Sequence, residues 1–108
     1  MIMAYSVKIT NQASDDLKAI YEYIAYKLKS FENAESQLSR LEDNILKLKE
    51  MPYRFKAYEK EPWKTRGLRI MPVDNYLVFY IPSDDTQSVT VIRVMYGGRD
   101  TDKQLDNR

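Results

Sequence analysis

The last third of the chain, residues 67–100, constrains the fold more strongly than any other segment. Strand-forming residues fill 67–73, 76–81 and 89–96, and short polar connections, including the turn predicted at 82–87, separate these runs. Strands that follow one another through such tight turns pair antiparallel. The run 76–81 is apolar on both faces, which predicts a central strand that is covered at least in part on both sides.

The first half of the chain predicts one strand and two helices. Residues 4–10 alternate between apolar and polar side chains, as a half-buried strand does. An apolar stripe then indicates a helix that Thr10 or Asn11 caps and that ends near Lys29. A second stripe indicates a helix that Ser30 caps and Pro52 stops. The two stripes consist of Leu17, Ile20, Tyr21, Ile24 and Leu28, and of Ala34, Leu38, Leu41, Ile45 and Leu48.

The element order is therefore β-α-α-β-β-β, which places the chain in the α+β class. The short connection between the helices predicts an antiparallel helical hairpin that packs on one face of a small, mostly antiparallel, twisted sheet. We expect the other face to be concave and partly open, because so short a hairpin covers only one side. Residues 53–66 show no sustained period and are expected to form a loop with a short turn at most. We expect one domain over residues 1–108, with a polar tail from about residue 101.

Composition excludes several kinds of chemistry. The 108 residues contain no cysteine and no histidine, so disulfides, thiol catalysis and the commonest general base are absent. The carboxylates show no metal-ligand spacing and no glycine-rich phosphate loop is present, so we expect no metal and no cofactor. No apolar run approaches the about 20 residues that span a membrane. Because no signal-peptide pattern is visible either, we expect a cytoplasmic protein.

The formal net charge of +1 conceals a segregation of charge along the chain. Residues 1–46 and residues 70–108 each sum to −2, whereas residues 47–69 carry eight basic and three acidic side chains, a balance of +5. Four aromatic residues are interleaved with these cations: Tyr53, Phe55, Tyr58 and Trp63. Such a segment suits a polyanion or an acidic protein partner. It is equally typical of a solvated loop that covers the edge of a sheet.

Two arginines interrupt strands that are otherwise apolar. Arg93 alternates with Val91 and Met95, and Arg69 lies between Leu68 and Ile70 in the predicted strand 67–73. If both face the open side of the sheet, they form a fixed cationic pair suited to phosphate or carboxylate groups. In the alternative, each arginine pairs with an internal carboxylate. The candidates for that pairing are Asp74, Asp84, Asp85 and Asp100.

Further candidate residues flank these strands. Tyr96 and Arg99 follow the last strand, where an aromatic ring beside a guanidinium can stack on a base and bind a phosphate. Equally, Arg99 and Asp100 can simply close a turn. The candidates for binding a nucleic acid or a partner protein are Lys56, Lys64, Arg66, Arg69 and Arg93.

Four short motifs, in this order, carry a resemblance to a known family. They are D-L-x-x-I-x-x-Y-I at 16–24, G-L-R-I at 67–70, Y-L-V-F-Y at 76–80 and V-I-R-V-M-Y-G-G-R-D at 91–100. Together with the element order, they make residues 4–103 resemble the RelE/ParE superfamily of toxins from bacterial type II toxin–antitoxin systems. The resemblance implies a toxin that arrests bacterial growth and is neutralised by a cognate antitoxin.

Two activities are known in that superfamily, and the resemblance alone implies either. One branch cleaves mRNA in the ribosomal A site with basic, tyrosine or histidine residues on the concave face of the sheet. The other branch poisons DNA gyrase and lacks those residues. Where the nuclease branch often has an arginine, this chain has Leu77, and where that branch has a basic residue just after the last strand, this chain has Gly97. These departures favour the gyrase-poisoning branch.

The alternative is a metal-independent mRNA endoribonuclease. Attack by the 2′-hydroxyl group needs cations for the charged phosphate, and Arg69, Arg93 and Arg99 can supply them. It also needs a group that accepts a proton, for which Tyr96, Tyr76 or a lysine of lowered pKa are the candidates. A second alternative is a decayed toxin that acts as a non-toxic binding module. The near-neutral net charge argues against strong autonomous DNA binding.

Overall fold

A computed structural model describes residues 4–98 and Leu105. Its elements confirm the predicted α+β class and add one strand and one short helix to the predicted order. In chain order they are β1 (Ser6–Ile9), α1 (Asn11–Glu22), a π-helical turn (Tyr23–Lys27), α2 (Phe31–Lys47), β2 (Lys56–Ala57), α3 (Trp63–Arg66), β3 (Arg69–Val73), β4 (Tyr76–Ser83) and β5 (Ser88–Tyr96). No helix in this described part of the chain is long and apolar enough to cross a membrane.

The strands form one sheet in the order β1-β5-β4-β3-β2. The strands β2 to β5 pair antiparallel, and β1 lies parallel to β5 at the other edge. The predicted central strand β4 is indeed flanked by β3 and β5, and its apolar run is covered on both sides. The register between β4 and β5 shifts after Phe79, which pairs with Arg93, whereas the next residue pairs with Val91. This bulge turns the second half of β5 relative to the first.

Two details of the prediction for residues 53–87 are wrong. Residues 53–66 are more ordered than a loop, because 56–57 pair with β3 and 63–66 form a helical turn. The strand β4 also continues through Pro82 to Ser83, where a turn was expected. The strand β3 pairs with β4 only as far as Tyr80, so Pro82 lies where β4 has β5 as its only neighbour and its missing N–H group costs no ladder bond.

The first helix begins where its sequence predicts. The Thr10 side chain accepts a hydrogen bond from the backbone N–H of Ala13 at 3.1 Å, which satisfies a free donor of the first turn. Ser30 occupies the N-cap position of α2, as predicted, but its side chain makes no capping bond there. The two helices form the expected hairpin, packed against β3 and β5.

The apolar stripes of both helices pack on one face of the sheet and form the larger core. Its buried members include Leu17, Leu41, Ile45 and Leu48 from the helices, and Val78 from the central strand. The opposite face was expected to be partly open. A second core covers part of it and consists of Tyr58, Trp63, Leu68, Phe79, Met95 and Leu105, while Ile70, Leu77, Ile81 and Ile92 pack against this core and stay partly exposed.

Hydrogen bonds fasten the connection between α2 and β2 to the rest of the sheet. The carboxylate of Asp84, in the turn between β4 and β5, accepts bonds from the hydroxyl groups of Tyr5 at 2.6 Å and Tyr53 at 3.0 Å. The buried hydroxyl group of Tyr80 donates to the carbonyl of Pro52 at 2.7 Å. The basic segment, residues 47–69, is therefore held at two points, Pro52 and Tyr53, before β2 begins.

The core position of α2 gives a matched test of packing. Leu41 is fully buried and Leu46 is 55% exposed on the same helix. We expect Leu41→Ala to lower the free energy of unfolding by about 2–5 kcal/mol, because it removes buried methyl groups and leaves a cavity. The same change at Leu46 is expected to cost less than about 0.5 kcal/mol. Denaturant unfolding of both variants measures the difference, and equal losses would contradict the assigned helix face.

The Asp84 cluster predicts a pH dependence of stability. Hydrogen bonds from Tyr5 and Tyr53 hold the pKa of Asp84 below its ordinary value, and the bond to Asp84 raises the pKa of Tyr5 to about 12. A carboxyl group whose pKa is lowered on folding stabilises the fold above its unfolded pKa, and that contribution is lost as the pH falls through the folded value. We expect wild type to be more stable than Asp84→Asn at pH 6, with the difference vanishing in strong acid. The neighbouring change Asp85→Asn serves as the control, and a difference that persists unchanged in strong acid would refute the assignment.

Candidate functional site

The carboxylate of Asp16 joins the first helix to the part of the last strand that β1 does not pair with. The strand β1 pairs only with residues 88–91 of β5, so residues 92–96 extend beyond it. There Asp16 accepts a hydrogen bond from the backbone N–H of Val94 at 2.9 Å. It also binds Arg93 through Nε at 2.7 Å and Nη2 at 3.1 Å. The bond to Asp16 raises the pKa of the Arg93 guanidinium above its ordinary value.

Arg69 is held by backbone carbonyl groups at the opposite edge of the sheet. Its Nη1 atom donates to the carbonyl of Phe55 at 2.6 Å and to that of Tyr53 at 3.3 Å. The guanidinium carbon also lies 5.0 Å from the centre of the Tyr53 ring, which is within reach of a cation–π contact. Arg69 therefore positions the strand β2 and the residues before it.

These contacts correct the expectation of a shared cationic groove. Arg93 pairs with an internal carboxylate, as in the alternative considered from the sequence, whereas Arg69 binds backbone carbonyl groups, which was not predicted. The carboxylate that Arg93 binds among the described residues is that of Asp16, which was not among those proposed for it, and Asp100 and Arg99 lie outside the described residues. Whether these arginines contribute to catalysis stays a prediction.

Tyr96, the last residue of β5, presents an exposed aromatic ring at an open groove. It packs edge-to-face with Tyr76, their ring centres 5.9 Å apart, and remains 49% exposed. Burial raises the pKa of Tyr76 above its ordinary value. Gly97 follows without a side chain, because a Cβ atom there would come within 3.3 Å of the Asn75 carbonyl oxygen.

The groove beside Tyr96 runs between the helical hairpin and the end of the sheet. Its volume is about 1010 Å³. Exposed apolar side chains from both sides line it, among them Tyr23 and Leu28 from the hairpin and Tyr96 from β5. Arg40 also lines it, and its Nε atom binds the Asp74 carboxylate at 2.8 Å. The groove thus offers apolar contact area with polar groups at its rim.

The other candidate cations lie on the side of the sheet away from the hairpin. Lys56 is exposed on β2, and Lys64 and Arg66 are exposed on α3. The Arg66 guanidinium carbon lies 5.0 Å from the centre of the Trp63 ring. The N-terminal turn of α3 is closed by the Glu61 carboxylate, which accepts bonds from the Thr65 backbone N–H at 2.9 Å and hydroxyl at 2.7 Å.

A smaller pocket brings together two arginines that the sequence did not pair. Arg66 and Arg93 both line this cavity of about 250 Å³, with Trp63 and Leu105 among its apolar walls. Within residues 4–98 and Leu105, no group of three or more acidic side chains is arranged to hold a metal ion.

The sequence did not reveal two residues that organise these sites. Asp16 stands out in the sequence only as the first residue of the motif at 16–24, whereas in the structure its carboxylate binds β5. Asp84 was considered only as a partner for an arginine, although it binds two tyrosines. Local spacing carries no signal for either contact, because the partners of each carboxylate lie more than 30 residues away along the chain.

Comparison with known proteins places this geometry in a family. Residues 7–101 match the family model described as the ParE toxin of the type II toxin–antitoxin system parDE. No curated protein matches the chain by sequence.

Solved structures with this fold come from both ParDE and RelBE systems. A chain of the chromosomal ParDE system of P. aeruginosa superposes with a TM-score of 0.70 at 18% identity, over 87% of this chain and 97% of that one. A chain of the M. tuberculosis RelBE2 toxin–antitoxin complex gives a TM-score of 0.66 at 20% identity, and the match covers 89% of this chain and 94% of that one. A mutant of the E. coli toxin RelE in the free state gives a TM-score of 0.65 at 15% identity, and the match covers 94% of this chain and 93% of that one.

These structural matches confirm the fold, and the family match covers nearly the whole chain. The chain therefore belongs to the ParE toxin family, within the RelE/ParE superfamily, as the toxin of a type II toxin–antitoxin system.

Proposed function

We propose that this toxin arrests bacterial growth by poisoning DNA gyrase and does not cleave RNA. The observation that carries the proposal is the engagement of both strand arginines by internal partners. Arg93 forms a bidentate ion pair with Asp16, in which both side chains are less than one-fifth exposed. Arg69 donates to two backbone carbonyl groups. An arginine held in this way is fixed in place, and the N–H groups that already donate are not available to a scissile phosphate.

Proton transfer gives the proposal independent support. RNA cleavage by the 2′-hydroxyl group requires a base whose pKa lies near the working pH. The chain has no histidine, and burial moves the pKa of Tyr76 upward, away from that range. Burial is also the main reason why the pKa of Tyr80 is raised to about 12. Because a raised pKa keeps a tyrosine protonated near neutral pH, neither side chain is well suited to accept a proton there.

One observation favours the nuclease as the second candidate. Tyr96 is half-exposed beside a large groove, in a position where its ring can stack on a base. A ribosome-dependent mRNA endoribonuclease would use this ring together with Arg99, which lies outside the described residues.

The same groove supports neutralisation by an antitoxin. The RelBE2 structure is a toxin–antitoxin complex, so a protein of this fold binds such a partner. We infer that a cognate antitoxin binds this chain through an amphipathic segment whose apolar side covers Tyr23, Leu28 and Tyr96.

The target is tested by pulse-labelling DNA and protein synthesis in the minutes after the toxin is induced in bacteria. We expect DNA synthesis to fall first, because gyrase is needed ahead of the replication fork. In vitro, purified toxin should make gyrase accumulate cleaved plasmid DNA and should leave mRNA on ribosomes intact. Protein synthesis that collapses first, with cleaved mRNA, would establish the nuclease instead.

A double variant separates a structural arginine from a catalytic one. Arg93→Met alone leaves the Asp16 charge unpaired and is expected to cost about 1–3 kcal/mol, less than a fully buried pair would. Adding Asp16→Asn removes that charge and keeps an oxygen that can accept from Val94, so stability should largely return. We expect the double variant to remain toxic. A folded double variant that has lost toxicity together with RNA cleavage would show that Arg93 acts on substrate.

A further inference from the structure

We propose that the outer surface of residues 56–66 contacts the phosphate backbone of double-stranded DNA. The surface is the basic layer, defined here as Lys56, Lys64 and Arg66, all of which are exposed. The inference rests on the proposed function, because gyrase acts while it holds duplex DNA. It adds a partner for a surface that the ion pairs and the groove beside Tyr96 do not use.

Strand register and core packing show that Lys56, Lys64 and Arg66 lie on one side of the molecule. Lys56 is the cross-strand partner of Ile70, which packs against the second core on the side away from the hairpin. Opposite residues of paired strands point to the same face, so Lys56 projects there as well. Trp63 belongs to the same core, which places α3 with Lys64 and Arg66 on that side.

One guanidinium group of the basic layer is held in place before any ligand arrives. The guanidinium carbon of Arg66 lies 5.0 Å from the centre of the Trp63 ring. Stacking on a ring leaves the N–H edge of a guanidinium available for the paired oxygens of a phosphate. Because less side-chain freedom is lost on binding, each such contact is more favourable than one made by a freely moving arginine.

The composition of the surface favours a nucleic acid over a protein partner. Protein interfaces depend on a few exposed aromatic or aliphatic anchors. No large apolar side chain between residues 54 and 66 is exposed, since Tyr58 and Trp63 are turned into the second core. A surface that offers cations without apolar anchors matches a phosphate backbone, to which contacts are mainly electrostatic.

The geometry of α3 favours backbone contacts over base contacts. Reading base edges in the major groove requires a helix or a ribbon of strands long enough to enter it. The helix α3 has four residues, and the strand β2 beside it has two. We therefore expect binding that is independent of DNA sequence. The net charge of +1 makes this binding weak and strongly dependent on salt.

Fluorescence anisotropy of the full chain with a short labelled DNA duplex tests the inference without gyrase. We expect affinity to fall steeply between about 50 and 200 mM salt. The triple variant Lys56→Gln, Lys64→Gln, Arg66→Gln should bind about ten-fold more weakly or worse, with the salt slope reduced by about one per substitution. All three side chains are exposed, so the variant should fold, which circular dichroism checks.

A matched control removes the same charge from the hairpin. The triple variant Lys18→Gln, Lys27→Gln, Lys47→Gln also removes three exposed positive charges, and we expect it to keep the wild-type salt slope. An equal loss in both triple variants would assign the binding to overall charge and overturn the inference. So would the absence of salt-dependent duplex binding, or tighter binding of single-stranded RNA than of the duplex. A toxin that poisons gyrase but fails this assay refutes the DNA contact alone.

Discussion

The carboxylate of Asp16 makes the interaction on which the rest of the arrangement depends. The strand β1 has four residues, so among the described residues no strand pairs with the last part of β5 on that side. A buried backbone N–H group without a partner costs about 1–3 kcal/mol. Asp16 supplies that partner for Val94 and binds Arg93 with the same group. Since Leu17 follows directly and enters the larger core, this contact also sets how the hairpin lies on the sheet.

The same contact links the fold to the choice of mechanism. An arginine that completes the packing of a helix against a sheet is costly to withdraw, because its partner would be left as a partly buried charge. Arg69 has an equivalent role at the other edge, where it holds the backbone before β2. Thus both arginines that a sequence comparison would offer to a phosphate stabilise the fold. A toxin that needs neither of them for chemistry is consistent with the gyrase branch of the superfamily.

The parts of the fold that could be predicted from the sequence are those with a sustained period. The helical stripes through Leu17 and Leu41 and the long strands β4 and β5 each extend over several side-chain repeats, so burial on one face dictates them. The strand β2 has two residues and α3 has four, which is too short for any period. Trp63 and Tyr58 close the second face through contacts with distant strands, and the partner of Arg93 lies 77 residues away. Such contacts follow from the assembled topology and leave no mark in local spacing.

Each exposed charge of this protein acts mainly on its own surroundings, so the net charge of +1 does not describe the potential at any single surface. At physiological ionic strength the potential of an exposed charge decays over about 8 Å. The shortest dimension of the protein is 21 Å, so charges on opposite faces are largely screened from one another. A partner at the basic layer therefore encounters its three cations, one of which lies over the buried Trp63 ring, whatever the acidic balance of residues 1–46. A net charge of +1 limits how tightly the toxin holds DNA by itself, yet it does not prevent a local contact once another protein has brought the two together.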